Sequence, residues 1–115
     1  MTFYETTGSI THDFNNNNTI FVRKTGGGNF TLNVNNVPTD NAGYTITLII
    51  EDSGGTGIPS TLNVDGVGQT IKWAGGSSPG HSGGAICVVS FALIAYNTGT
   101  TGQFTVLGSG SNYES

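Results

Sequence analysis

Gly80-His81-Ser82-Gly83-Gly84 is the stretch whose residue types could do chemistry. It matches G-x-S-x-G, which in α/β hydrolases places a nucleophilic serine on a strained turn between a strand and a helix. Such a serine also needs a base, oriented in turn by a third group. Here an apolar β-type run, Ala85 to Ala95, follows instead of a helix. His81 adjoins Ser82 in the chain, which makes a productive base geometry hard to reach, and the other histidine is His12. A trypsin-like nucleophile turn would carry an aspartate where His81 stands, and would need two barrels, more than 115 residues supply. The string therefore reads as a glycine-rich loop. No catalytic residue is assigned, and the protein is expected not to be an enzyme.

The remaining reactive types are scattered. His12-Asp13 offers two ligand types with no further cluster beside it. Glu51-Asp52-Ser53-Gly54-Gly55 and Asp65-Gly66 could make an oxygen-rich calcium loop, but the spacing fits no EF-hand and acids of this kind commonly form turns. Gly26-Gly27-Gly28 lacks the Lys-Ser/Thr and the following helix of a phosphate loop, and reads as a hairpin turn. The single cysteine, Cys87, excludes an intrachain disulfide and lies in an apolar run, as a small buried hydrophobe would. No metal and no cofactor are assigned.

Aromatic and loop residues remain as candidates for contact. The single tryptophan, Trp73, ends the run Ile71-Lys72-Trp73 and enters Ala74-Gly75-Gly76-Ser77-Ser78-Pro79. A tryptophan at a strand end caps a core more often than it binds a sugar, so Trp73 is expected to close the core. The loop from Gly75 to Gly84 is expected to be free to touch a neighbouring subunit. The candidate interface or glycan-contact residues are Trp73, Gly75, Gly76, Pro79, His81 and Tyr96, and Tyr4 and Tyr44 could extend a stacking platform.

The elements that must position these residues are strands. Glycine makes up 19 of 115 residues and charged residues 9%, against about 25% charged in an ordinary domain. Thr and Asn are abundant. No segment shows a 3.6-residue period, whereas several alternate with period two. The alternation predicts strands at Thr2–Thr6, Thr19–Lys24, Asn29–Val34, Tyr44–Ile50, Thr61–Val64, Gln69–Trp73, Ala85–Ala95 and Gln103–Leu107, separated by Gly/Asn/Asp turns. Short strands at this spacing predict an all-β fold: one small antiparallel β-sandwich, jelly-roll-like, of about eight strands. The sandwich is expected over residues 1–107, with 108–115 a flexible or partner-bound tail. Ala85 to Ala95 is apolar on both faces, so it needs cover on both, from a neighbouring subunit or from a loop of the same chain.

Charge narrows the partners. Arg23, Lys24 and Lys72 are the only bases, and the formal net charge is −4. Three cations cannot track a phosphate backbone, so no nucleic-acid partner is expected. No apolar run approaches the roughly 20 residues of a membrane span, and no membrane partner is expected. The amino-terminal residues lack a signal-peptide pattern, so synthesis without export is expected.

The order of these patterns resembles a β-rich module of structural proteins in tailed-bacteriophage virions, notably those of marine and cyanobacterial phages. The residues that carry the resemblance are Asn36-Val37-Pro38 after the Phe30/Leu32/Val34 strand, Gly43 to Asp52, and the W-x-G-G-x-x-P corner from Trp73 to Pro79. Val89-Ser90-Phe91 and Thr105 to Gly108 complete it. The likeness spans roughly residues 19–108. It implies no catalytic residues. Where that family often has an aspartate after the corner, this chain has Cys87. The resemblance implies assembly on a virion, with other capsid or tail proteins and further copies of the chain as partners. A capsid decoration protein fits best, because the β pattern begins near Met1 and no coiled-coil shaft is present. The alternative it leaves is a tail-fibre or appendage component that binds host-surface glycans.

Overall fold

The computed structural model describes residues 1–39, 42–95 and 104–113. Ten strands are present among them: β1 (Thr2–Thr6), β2 (Ser9–Asp13), β3 (Thr19–Lys24), β4 (Phe30–Asn35), β5 (Gly43–Asp52), β6 (Pro59–Val64), β7 (Val67–Gln69), β8 (Ile71–Trp73), β9 (Ile86–Ile94) and β10 (Thr105–Tyr113). A single 3₁₀ turn, Ala74–Gly76, follows β8. The all-β expectation holds, with two sheets packed face to face. One has the order β1-β3-β5-β9-β10-β8 and the other β2-β4-β6-β7.

The expected strand count and strand directions are corrected. β2 was not anticipated, because Ser-Ile-Thr-His-Asp shows one apolar residue and its second inward residue, His12, reads as polar. The run Gln69–Trp73 divides at Thr70: β7 joins one sheet and β8 the other. The antiparallel jelly roll is replaced by mixed sheets. β1, β3 and β5 pair in parallel, as do β2, β4 and β6, and β8 runs parallel to β10. Antiparallel pairing is confined to β5–β9, β9–β10 and β6–β7. The tail expected from Gly108 begins inside β10, where residues 108–113 continue the ladder with β9 from Gly108↔Phe91 to Tyr113↔Ile86.

Parallel pairing follows from the path of the chain. Consecutive strands from β1 to β6 alternate between the two sheets, so each return to a sheet runs in the same direction as the strand before it. The result is three stacked coils, in the manner of a short β-helix. Rows of side chains continue from coil to coil: Thr2, Ile20 and Leu48 in one sheet, and Ile10, Leu32 and Leu62 in the other. The inward residues of every row form the core, including Ile20, Val22, Leu32, Val34, Ile46, Leu48, Ile50, Leu62, Val64, Val89 and Phe91, all fully buried.

Two devices keep the coils in register. Asn63 Nδ2 donates to Asn33 Oδ1 (2.9 Å), and Asn33 Nδ2 donates to the Ile10 carbonyl (3.2 Å), so an amide ladder crosses all three coils. At one corner, glycines permit turn-on-turn contact. A Cβ on Gly55 would lie 2.0 Å from the Gly26 nitrogen, and one on Gly57 would lie 2.1 Å from the Gly28 oxygen. Lys24 is fully buried beneath this corner, and its ammonium donates to the carbonyls of Gly26 and Thr7. Burial pushes its pKa down. At the other end of the stack, Asp65 (φ 48°) and Gly66 (φ 81°) form the two-residue hairpin between β6 and β7 that a Asp-Gly pair favours.

The first coil has a polar inner end. Tyr4 Oη and His12 Nδ1 lie 2.9 Å apart, His12 Nε2 lies 2.6 Å from the Asn17 carbonyl, and Asn17 Nδ2 donates to Thr2 Oγ1 (2.9 Å). His12 is fully buried, and this chain of hydrogen bonds satisfies it.

Candidate functional site

Trp73 lies at the inner side of the edge strand β8, half-buried, and its ring packs on Phe91 with centroids 5.6 Å apart. β10 supplies its seat. A Cβ on Gly108 would come within 2.7 Å of the indole, so only glycine lets the ring settle on the strand. Pro79 rests in the same way on Gly110, whose Cβ would lie 2.7 Å from the Pro79 ring. The four-stranded sheet is two strands narrower than the six-stranded one. Trp73 and Pro79 cover the inner side of β10, which is the core-closing role expected of Trp73.

The loop after Trp73 is exposed from Gly75 to Ser78 and tied to the rest of the fold from Gly80 onward. Gly75 (φ 75°) and Gly76 (φ 83°) turn the chain back, and both are exposed. Asn112 Nδ2 then donates to the Gly80 carbonyl (2.7 Å), and its Oδ1 accepts from the Ser82 N–H (3.0 Å). Asp52 Oδ2 accepts from the Gly84 N–H (2.8 Å). The Gly84 and Gly54 N–H groups hold the Asp52 carboxyl below the ordinary carboxylate range. His81 is the central staple: Nε2 lies 2.8 Å from the Ala85 carbonyl, and Nδ1 lies between the Gly57 N–H (3.3 Å) and carbonyl (3.1 Å).

This geometry accounts for the serine string. Both ring nitrogens of His81 engage main-chain groups, and the Ser82 carbonyl accepts from the Ala85 N–H (3.1 Å). Of the acids weighed as calcium ligands, Glu51 faces Arg23 at 3.9 Å, and Asp52 and Asp65 accept main-chain N–H groups, as does Asp13. Asp65 Oδ1 accepts from the Asn36 N–H (2.7 Å), Asp52 Oδ1 accepts from the Gly54 N–H (3.0 Å), and Asp13 Oδ1 accepts from the Asn15 N–H (2.9 Å). Among the described residues, no three His, Cys, Asp or Glu side chains converge as metal ligands. Cys87 is fully buried, and burial pushes its thiol pKa up. Tyr96 lies outside the described residues. Trp73, Gly75, Gly76, Pro79 and His81 therefore share one corner, but His81 is engaged within the fold.

Two surface features escaped the sequence reading. Both lie on the outward side of the six-stranded sheet. The first is a groove of about 420 Å³ beside Trp73 and Ala74, lined by Thr45, Ser90, Ala92, Leu107, Ser109 and Lys72. The second is a set of apolar side chains. Apart from Met1, the large hydrophobic residues exposed among the described residues are Phe3 (53%), Ile86 (37%), Leu107 (45%) and Tyr113 (57%). Strand alternation turns all four away from the core, to the same side of the sheet. Phe3 stacks on Phe21 at 5.6 Å, and the row continues through Ile49 to Val88. Each of these residues is legible as outward-facing within its own strand. Their convergence is not, because it depends on the order of strands in the sheet.

No family model, curated protein or solved structure matches this chain. Fold and site define a mixed two-sheet β protein whose prominent surface is the outer face of the six-stranded sheet, partly apolar and partly hydroxyl-bearing, next to a stapled corner.

Proposed function

We propose that this protein is a non-enzymatic structural component of a bacteriophage particle, a capsid decoration or accessory protein that works by subunit packing. The observation that carries this reading is the outward face of the six-stranded sheet. It exposes Phe3 in the row Phe3, Phe21, Ile49 and Val88, with Ile86 and Tyr113 beside that row and Leu107 further along β10, and contiguous apolar exposure of this kind marks association surfaces. Charge on that face is sparse. Among the described residues it amounts to Glu5, Arg23 and Glu51 in one row, with Arg23 and Glu51 3.9 Å apart, and Lys72 near the groove. A neutral, hydroxyl-rich surface can be covered with little desolvated charge. Association with a virion, and with capsid or tail proteins in particular, comes from the W-x-G-G-x-x-P resemblance. The test is the composition of purified particles. Mass spectrometry is expected to find the chain at a fixed, high copy number, and Leu107→Asp is expected to abolish its incorporation. Particles that lack the chain refute the proposal.

A second reading, a glycan-binding appendage, is favoured by the groove. Hydroxyls of Thr45, Ser90 and Ser109, the Lys72 ammonium and the flank of Leu107 are suited to a sugar ring. Filling the groove with Ala92→Trp should abolish any signal on a glycan array, and no signal from the unaltered protein discards this reading.

A further inference from the structure

We infer that two copies of this chain join end to end through the first coil, with β1 pairing antiparallel to β1 of the partner and β2 to β2. β1 and β2 are the outer strands of their sheets at the same end of the stack. In a ladder, alternate residues direct both main-chain groups to one side. Thr6 O accepts from Thr25 N, and Gly8 O accepts from Thr31 N, so the even-numbered residues of this coil face the next coil. The N–H and C=O groups of Phe3, Glu5, Thr11 and Asp13 consequently point away from the stack. Ser9 is already engaged by Thr6 Oγ1, and the Asp13 carbonyl accepts from Asn16 N. Among the described residues, Phe3, Glu5 and Thr11 present an open edge. No proline, lysine or bulge interrupts Thr-Phe-Tyr-Glu-Thr or Ser-Ile-Thr-His-Asp, and the charges on this edge are Glu5 and Asp13 alone.

The occupant follows from register. Thr6 and Ser9 face each other across the corner, joined through Thr6 Oγ1. Counting away from that corner brings Tyr4 level with Thr11. One two-fold axis perpendicular to both sheets can therefore pass through Tyr4 and Thr11 together, and antiparallel pairing about it is self-complementary in both sheets. About this axis Phe3 opposes the partner's Glu5 as a hydrogen-bonded pair, in both copies. Thr11 opposes the partner's Thr11 in the same way. About six main-chain hydrogen bonds result, two for each bonded pair. The charges agree with the register: Glu5 faces Phe3 and Asp13 faces Ser9, so no like charges meet. A second copy fits better than a further coil of the same kind, because the Tyr4–His12–Asn17–Thr2 chain of hydrogen bonds already finishes the inside of this end.

The test uses the whole chain with no other protein present: light scattering and analytical ultracentrifugation over a wide concentration range. A dimer is expected. Thr11→Pro removes an N–H that points out of the stack, so the fold should persist by circular dichroism while the chain becomes monomeric. If Thr11→Pro does not fold, Phe3 decides. Phe3→Glu places like charges opposite each other twice and should weaken the dimer about tenfold, whereas Phe3→Lys places opposite charges there and should preserve or tighten it. A chain that stays monomeric at all concentrations overturns the inference. So does a dimer that survives Thr11→Pro but is lost with Leu107→Asp, which would locate the contact on the sheet face. A dimer weakened equally by Phe3→Glu and Phe3→Lys would also overturn the register.

Discussion

Gly55→Ala should be among the most damaging single-methyl changes in this protein. The added Cβ would lie 2.0 Å from the Gly26 nitrogen and 2.4 Å from its Cα, against 3.4 Å or more for ordinary contact. Two stacked turns would have to separate by about 1.4 Å, the difference between those distances. The atoms met are backbone, so no side chain can swing aside. Overpacking of this kind costs about 1–3 kcal/mol. The displaced turn also carries the Gly26 carbonyl that holds the buried Lys24 ammonium, and loosening a buried polar group adds about 1–3 kcal/mol. The sum, about 2–6 kcal/mol, corresponds to a fall in Tm of roughly 8–24 °C for a domain of this size. Thermal denaturation followed by circular dichroism measures it. Two controls separate the causes. Gly28→Ala has open space around its Cβ and no positive φ, and should be near neutral. Gly54→Ala has open space but φ +91°, and should show backbone strain alone, about 1–2 kcal/mol. A Gly55→Ala protein that melts with the unaltered one would refute the coil-on-coil stacking of this corner.

Trp73→Ala should cost about 3 kcal/mol, because the ring that covers Gly108 and Phe91 is lost, and a urea titration will read it as a lower midpoint at constant slope. Acid should destabilise the fold through Asp52, whose carboxyl is depressed by the Gly84 and Gly54 N–H groups. A depressed carboxylate stabilises above its unfolded value of about 4 and loses that contribution as pH falls through the folded value, so Asp52→Asn should flatten the acid limb of Tm against pH. Asn112→Ala should release the Gly80–Gly84 segment, raising amide hydrogen exchange at Ser82 by about tenfold with little change in Tm. Cys87 should stay unreactive toward a thiol reagent until the protein unfolds, and rapid stoichiometric labelling of the native protein would contradict its burial.

Much of the strand content was legible from alternation. Thr2–Thr6 and Thr19–Lys24 match their strands residue for residue, and the inward faces of β4 and β5 are those the pattern indicates, whereas β9, read as needing cover on both faces, buries only Cys87, Val89, Phe91 and Leu93 and leaves Ile86 exposed. Alternation works because it reports burial directly: the side-chain period of a strand is two, whatever the strand pairs with. The same independence hides pairing. Ile20 aligns with Leu48, 28 residues on, whereas Thr2 aligns with Ile20, only 18 residues on. Corners of unequal length erase any fixed repeat, so the coils leave no periodic signature. His12 disguised β2, since a buried histidine reads as polar unless its partners Tyr4 and Asn17 are seen.

The candidate corner divides along the same line. The composition of residues 71–84 alone made it a strand end followed by a turn, because a large aromatic followed by Gly, Ser and Pro cannot continue a strand. Only the tertiary structure decided that the loop is stapled. Its anchors, Asp52, Gly57 and Asn112, lie 24 to 32 residues away in the chain, and their bonds exist only once β5 and β10 flank β9. Sequence by itself determined an all-β chain with few charges. Tertiary structure decided that the strands wind as coils, that Phe3, Ile86, Leu107 and Tyr113 share one face, and that the first coil leaves an open edge. Those properties depend on strand order, which is set by contacts between distant residues and not by any local pattern.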